Sequence, residues 1–345
     1  CLPKTAGLRL VMGGFMAVST TDLIQSVVMS IALVIIVFFG ISKAGGWDAV
    51  MDNAKSLAGY LSMIQAHNMA DNTSSPYSLL TIFSTVAWGL GYFGMPHILL
   101  RFMAIGEEKK LVLSRRIATV WVVISMFVAI LIGIIGYGAS VAGVLPMFET
   151  SSESETIIIR LAGLLAEKNF LLALVAGVVL AGILACTMST ADSQLLTAAS
   201  SVSQNLLQDF LKIKMSPKQS MLAARLTVVG ISLVAVVLAW NPDSSVFYIV
   251  SFAWAGFGAA FGPVVLFSLF WRRTNFQGAL AGMLTGGVMV FVWKYLVKPM
   301  GGVWGIYELL PAFILGCIAI VVVSLATVAP SEEILKEFDS VKEEK

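Results

Sequence analysis

The sequence predicts an all-α protein that crosses a membrane several times. Two observations carry that expectation. Of its 345 residues 58% are hydrophobic and only 12% are charged, and the apolar residues gather in runs about as long as a bilayer is thick. A soluble domain of this length needs far more charge to cover its surface. A net charge of +2 offers nucleic acid nothing, so the lipid bilayer is the expected partner and nucleic acid is not. The three cysteines, Cys1, Cys186 and Cys317, are odd in number and two sit inside apolar runs, so no disulfide framework is expected.

A helix needs about 20 apolar residues to cross the hydrocarbon core. Such runs lie near 22–42, 78–104, 115–138, 170–190, 222–240, 246–271, 277–297 and 307–329, the fourth with a helical extension to about 208. Residues 8–19 are apolar but too short to span, and read as a partial helix. Residues 1–329 therefore form a single membrane domain. Residues 330–345, charged and mixed in sign, form a solvated tail. Cys1 and the short opening run read together as the sign of a truncated or processed start.

Charge in the connections orients the spans. Lys109, Lys110, Arg115 and Arg116, then Lys212, Lys214 and Lys218, then Arg272 and Arg273 all fall on one side of an alternating topology. The other side holds Asp48, Asp52, Asp71, Glu149, Glu153 and Glu155. The positive-inside rule places the basic connections and the C-terminus in the cytoplasm of a multi-pass cell-membrane protein. On the opposite side, 47–65 and 154–167 have helical apolar spacing and are expected to lie along the outer surface.

Three segments carry candidate chemistry. In Ala87-Trp88-Gly89-Leu90-Gly91-Tyr92-Phe93-Gly94-Met95-Pro96-His97, three glycines and a proline fall within eight positions of one span. Glycine relaxes the backbone and proline removes a donor. At membrane depth a loosened helix survives only where protein or a water-filled cavity satisfies the freed groups, and transporters bind solutes on such broken helices. Trp88, Tyr92 and Pro96 share one face of an intact helix, where aromatic rings can pack on a small solute. The same residues also suit a glycine-rich helix interface with aromatics filling gaps.

In Cys186-Thr187-Met188-Ser189-Thr190-Ala191-Asp192-Ser193, four hydroxyls arrive with one carboxylate at the end of an almost uncharged run. Polar groups at this depth are expensive and usually face a cavity or a partner helix. Uncharged oxygens suit a monovalent cation that must also leave. Hydroxyls that bond back to carbonyls one turn earlier would account for the cluster equally well. Asp192 also fits a mere membrane boundary. The third segment, Phe252 to Pro263, reads as a small-residue packing face with a hinge. Its glycines lie inside a span with no preceding strand, which excludes a dinucleotide fold. Neither His67 nor His97 belongs to a nucleophile-elbow or zinc-ligand pattern, so no enzyme is expected.

The segments GGFMAVSTTD (13–22), WGLGYFGMPHILLRFMAI (88–105), ILACTMSTADSQLLTAASS (183–201), AWAGFGAAFGPVVLFSLFW (253–271) and GALAGMLTGG (278–287) resemble the sodium:solute symporter family, nearest to its bacterial proline carriers. The resemblance implies a LeuT-type fold of two inverted five-helix repeats, of which this chain carries the C-terminal part. It also implies sodium-coupled symport of L-proline into the cell. Ser189 and Thr190 would be hydroxyl ligands of sodium, with Cys186 offering its backbone carbonyl. Trp88, Tyr92 and Pro96, together with Gly89, Gly91 and Gly94, would line the solute site. Asp22, Arg101 and Asp192 would serve coupling or gating. Met95 stands where glutamine is frequent in proline carriers, and Asp192 and Ser193 differ from some members. The first repeat's broken helix, a further source of sodium ligands, would belong to missing N-terminal helices of the same protein. Other solutes such as pantothenate or an organic acid, a sensor that does not transport, and an inactive truncated product are the alternatives.

Overall fold

The structure is a computed structural model that describes residues 6–240 and 245–343, with the side chains of 6–18, 21 and 341–343 excepted. Readings that rest on Cys1 lie outside the described residues. The chain divides into two compact units. The first takes the chain up to Ser62, His67–Ser74 and Gly106–Ser245. The second takes Met63–Ala66, Ser75–Ile105 and Val246 onward.

The first unit is built on three long helices: α1 (Ala6–Lys43), α6 (Lys109–Val141) and α9 (Phe170–Ser200). α1 runs unbroken through the expected partial helix 8–19 and the span 22–42, because nothing in Ser19-Thr20-Thr21-Asp22 breaks an α-helix. Two short helices, α2 (Trp47–Ser56) and α8 (Ile157–Ala166), fold onto this framework. Ile36, Val50, Ile135, Leu161 and Val179 are fully buried where these elements meet. α9 continues as a wider π-helical stretch over Ser201–Phe210, so the helical extension runs two residues past 208. α10 (Pro217–Leu238) starts on a complete capping box between Ser216 and Gln219 and packs beside α9.

The connection 47–65 departs from the expected helix. α2 stops at Ser56, where Leu57 turns extended, and a hairpin of β1 (Gln65–Asn68) and β2 (Thr73–Pro76) follows. Asn72, with φ of 50°, makes the left-handed turn that asparagine tolerates. Its side chain bonds back to Ala58 and Ser56. His67 is held by the Ala58 carbonyl at 2.9 Å. The connection 154–167 begins with a one-turn helix, α7 (Ser151–Ser154), before α8.

In the second unit, α3 (Leu79–Val86), α4 (Trp88–Gly91), a 3-10 turn at Tyr92–Gly94 and α5 (Pro96–Met103) replace the single span 78–104. The halves before and after Met95 meet at 52°. α4 and the 3-10 turn pack on α11 (Val246–Phe270), and α11 packs in turn with α12 (Phe276–Val292, extended by a π turn to Val297) and α13 (Leu309–Ala326). The last three helices touch through small residues. A Cβ at Gly282 or Gly278 would overlap Ile320 or Ser324 of α13, and one at Gly286 would overlap the Ala259 carbonyl of α11. Ala259, Val290, Leu309 and Ala312 are fully buried there. The tail is not merely solvated chain: α14 (Glu332–Glu343) forms, and Arg272 holds its Asp339 through three hydrogen bonds of 2.8–3.2 Å.

Among the described residues seven helices are long and apolar enough to cross a membrane, or eight if the bent pair makes one span. The protein is a multi-span, all-α membrane protein.

Candidate functional site

The bend arises from Met95-Pro96. Met95 adopts an extended conformation (φ −83°, ψ 107°), as a residue before proline prefers. Pro96 has no N–H, and the amides of Ile98 and Leu99 both turn to the Met95 carbonyl. Pro96 has no N–H to give to the carbonyl one turn earlier, so the helical ladder is interrupted here. The backbone is thus loosened where α5 begins.

Tertiary contacts within the second unit hold the half before the break. Trp254 of α11 donates its indole N–H to the Trp88 carbonyl at 3.0 Å. The Trp88 ring stacks on Phe247, Trp254 and Tyr307 at 5.6–5.9 Å. Ser84 Oγ accepts the Tyr307 amide at 3.0 Å, and the Tyr307 hydroxyl donates to the Ser251 carbonyl at 2.5 Å. A Cβ at Gly91 would overlap the Trp254 indole, and one at Gly94 would overlap the Phe257 carbonyl.

The candidate solute residues therefore separate. Gly91 and Gly94 are buried at a helix contact and face α11. Trp88 lends its ring to an aromatic cluster. Tyr92 is 54% exposed, with its ring edge-on to Trp254 at 4.8 Å. Gly89 is exposed and has nothing within 4 Å of where a Cβ would stand. Pro96 is half-buried at the break. Met95 is 4% exposed and turned inward. Arg101 is exposed in the last turn of α5. The expected packing face of α11 is also present, with Ala255, Gly258, Ala259, Gly262 and Pro263 buried.

In the first unit, the hydroxyl segment sits inside an unbroken α9. Ser189 Oγ donates to the Cys186 carbonyl at 3.0 Å, so these two candidate sodium oxygens lie side by side. Other hydroxyls of the run bond back one turn in the same manner. Thr187 Oγ1 reaches the Ile183 carbonyl at 3.2 Å, Ser193 Oγ the Ser189 carbonyl at 3.0 Å, and Thr197 Oγ1 the Ser193 carbonyl at 2.8 Å. Thr190 is exposed, and its hydroxyl makes no hydrogen bond among the described residues. Asp192 is half-buried on the same helix, and Asp22 is half-buried on α1. Among the described residues no cluster of three His, Cys, Asp or Glu could hold a metal ion.

Sequence reasoning misses Trp254, Tyr307 and Ser84. In the sequence Trp254 is only one member of a packing face, and residues 298–308 carry no motif. Lys298 and the buried Glu308 pair at 2.8 Å in that connection. The signal that could have found Trp254 is its indole N–H, which needs an acceptor inside a span.

Residues 4–286 match the profile of the sodium:solute symporter family. The chain is 38% identical over 335 residues to the sodium/proline symporter of Haemophilus influenzae, covering 96% of this chain and 64% of that protein. It is 39% identical over 331 residues to the sodium/proline symporter of Escherichia coli strain K12, covering 94% and 61%. The osmoregulated proline transporter OpuE of Bacillus subtilis strain 168 is 38% identical over 321 residues, covering 93% and 61%. The chain thus spans a little over three-fifths of the length of these curated relatives. A single profile matches most of its sequence, and relatives at 38–39% identity cover more than nine-tenths of it: the chain belongs to the sodium:solute symporter family.

Proposed function

We propose that the protein carries L-proline into the cell together with sodium, as a multi-pass protein of the cell membrane with its C-terminus in the cytoplasm. The observation that carries the solute half of this reading is the break at Met95-Pro96. A proline zwitterion needs acceptors for its ammonium group, donors for its carboxylate and an apolar wall for its ring. The backbone carbonyls at the break, those of Phe93 and Gly94, would supply the first, the positive N-terminal end of α5 the second, and the exposed Tyr92 ring the third.

Sodium is the second cargo. Ser189 Oγ and the Cys186 carbonyl already stand 3.0 Å apart, close enough to share one cation, and the Thr190 hydroxyl next to them is unengaged. Uncharged oxygens bind a monovalent ion without holding it too tightly to release. If sodium and proline each raise the other's affinity, the effect is reciprocal by thermodynamic linkage. The names of the relatives support proline and sodium as the two cargoes. Asp22, Arg101 and Asp192 are the proposed coupling or gating groups.

Uptake of radiolabelled L-proline into proteoliposomes holding the purified protein tests this. Saturable uptake that requires an inward sodium gradient, with unlabelled L-proline competing better than pantothenate or acetate, is expected. Uptake that is absent, or equal in potassium, overturns the reading.

A further inference from the structure

The aromatic that meets the solute in this reading, Tyr92, has one ring neighbour among the described residues: Trp254. An indole N–H inside a span must find an acceptor, and this one finds the Trp88 carbonyl, four residues before Tyr92. The indole also lies across Gly91, where any Cβ would overlap it. One side chain of α11 thereby fixes both the position of α4 and the tilt of the Tyr92 ring. Trp88 does not do this itself, because its ring is taken up in the stack with Phe247, Trp254 and Tyr307.

We propose that Trp254 is a positioning residue for the solute site: its N–H holds the Trp88 carbonyl and its ring braces Tyr92, so that the Tyr92 ring and the backbone of the break after it are presented together. Trp254 touches no solute itself and acts through the segment 88–94. The proposal rests on the symport reading above. A tryptophan that only filled space would alter the amount of folded protein and leave solute affinity alone.

The test compares wild type with Trp254→Phe, which keeps a ring beside Tyr92 and loses the N–H. A control, Trp240→Phe, alters an 81% exposed tryptophan outside the site. Two quantities are measured: the KM for L-proline in proteoliposomes under a sodium gradient, and hydrogen exchange of the amides of residues 89–95 by mass spectrometry. Loss of one hydrogen bond to a backbone carbonyl predicts a KM about fivefold higher, with the maximal rate per folded copy unchanged and faster exchange confined to 89–95. In the Tyr92→Ala background, Trp254→Phe should add little, because the two act as one unit. An unchanged KM in Trp254→Phe, or unchanged exchange at 89–95, overturns the positioning role while wild-type uptake keeps the symport reading standing. Wild type that takes up no proline removes the symport reading, and the positioning role with it.

Discussion

The two candidate sites solve the same problem in opposite ways. In 79–103 the helix is broken, and the backbone itself becomes the polar surface where Met95 turns extended before Pro96. In 183–197 the helix is continuous, and side-chain hydroxyls are the polar surface, most of them tied back to a carbonyl of their own helix. The broken segment needs outside support and has it from Trp254, Tyr307 and Ser84. The continuous one supports itself. A broken helix is therefore sensitive to its neighbours, whereas a hydroxyl-bearing helix is sensitive mainly to its own residues.

The contrast can be broken most directly at Pro96. Pro96→Ala restores an N–H to the chain and allows the helix to close, shifting the balance toward a straight form by about 3 kcal/mol, roughly a hundredfold. Proline affinity should fall by that order, read as the KM of uptake, and unchanged affinity would mean the break is not the site. Gly94→Ala comes next. Its Cβ would overlap the Phe257 carbonyl, and backbone cannot swing aside as a side chain can, so a loss of about 1–3 kcal/mol in stability is expected, measured by thermal unfolding in detergent.

Ser189→Ala sharpens the other side. The helix keeps its backbone bonds, so thermal stability should change little. The sodium concentration for half-maximal uptake should rise about tenfold, about 1.4 kcal/mol, and Thr190→Ala should act in the same direction. Unaltered sodium dependence in both would remove the cation assignment. The smallest effect belongs to Tyr307→Phe, in the connection before α13, which loses the bond to the Ser251 carbonyl and costs about 1 kcal/mol. Burial, and then the neighbouring Glu308 carboxylate, hold the Tyr307 phenol above the usual tyrosine range. An acid whose folded value is raised stabilises fully below its unfolded value and loses that contribution as pH rises through the folded one. Wild type should therefore lose thermal stability above about pH 10, and Tyr307→Phe should lose less.

The break itself was legible in the sequence, because the glycines, Met95 and Pro96 act locally. The direction in which each glycine faces was not. Gly91 and Gly94 turn toward α11 and Gly89 turns away, and that depends on where Trp254 and Phe257 arrive from a distant part of the chain. The hydroxyl run was legible as a cluster, while its bonding within α9 belongs to side-chain rotation, which spacing does not set. Residues 57–65 misled for a third reason: apolar spacing continues past Ser56, but Asn72 and its bonds to Ala58 and Ser56 favour a hairpin. The tail carries its charges visibly, yet only the structure pairs Asp339 with Arg272.

On the α12 side, the seam at Gly278, Gly282 and Gly286 has no rotamers to spend, and at Gly286 it meets the bare Ala259 carbonyl. Where bulky side chains meet, a small push is absorbed as they repack, but a contact made of bare main chain can only slide or carry the push onward. Residues 276–326 should accordingly behave as a stiff plank under load, with whatever flexing the second unit undergoes concentrated where its backbone runs extended, at Met95.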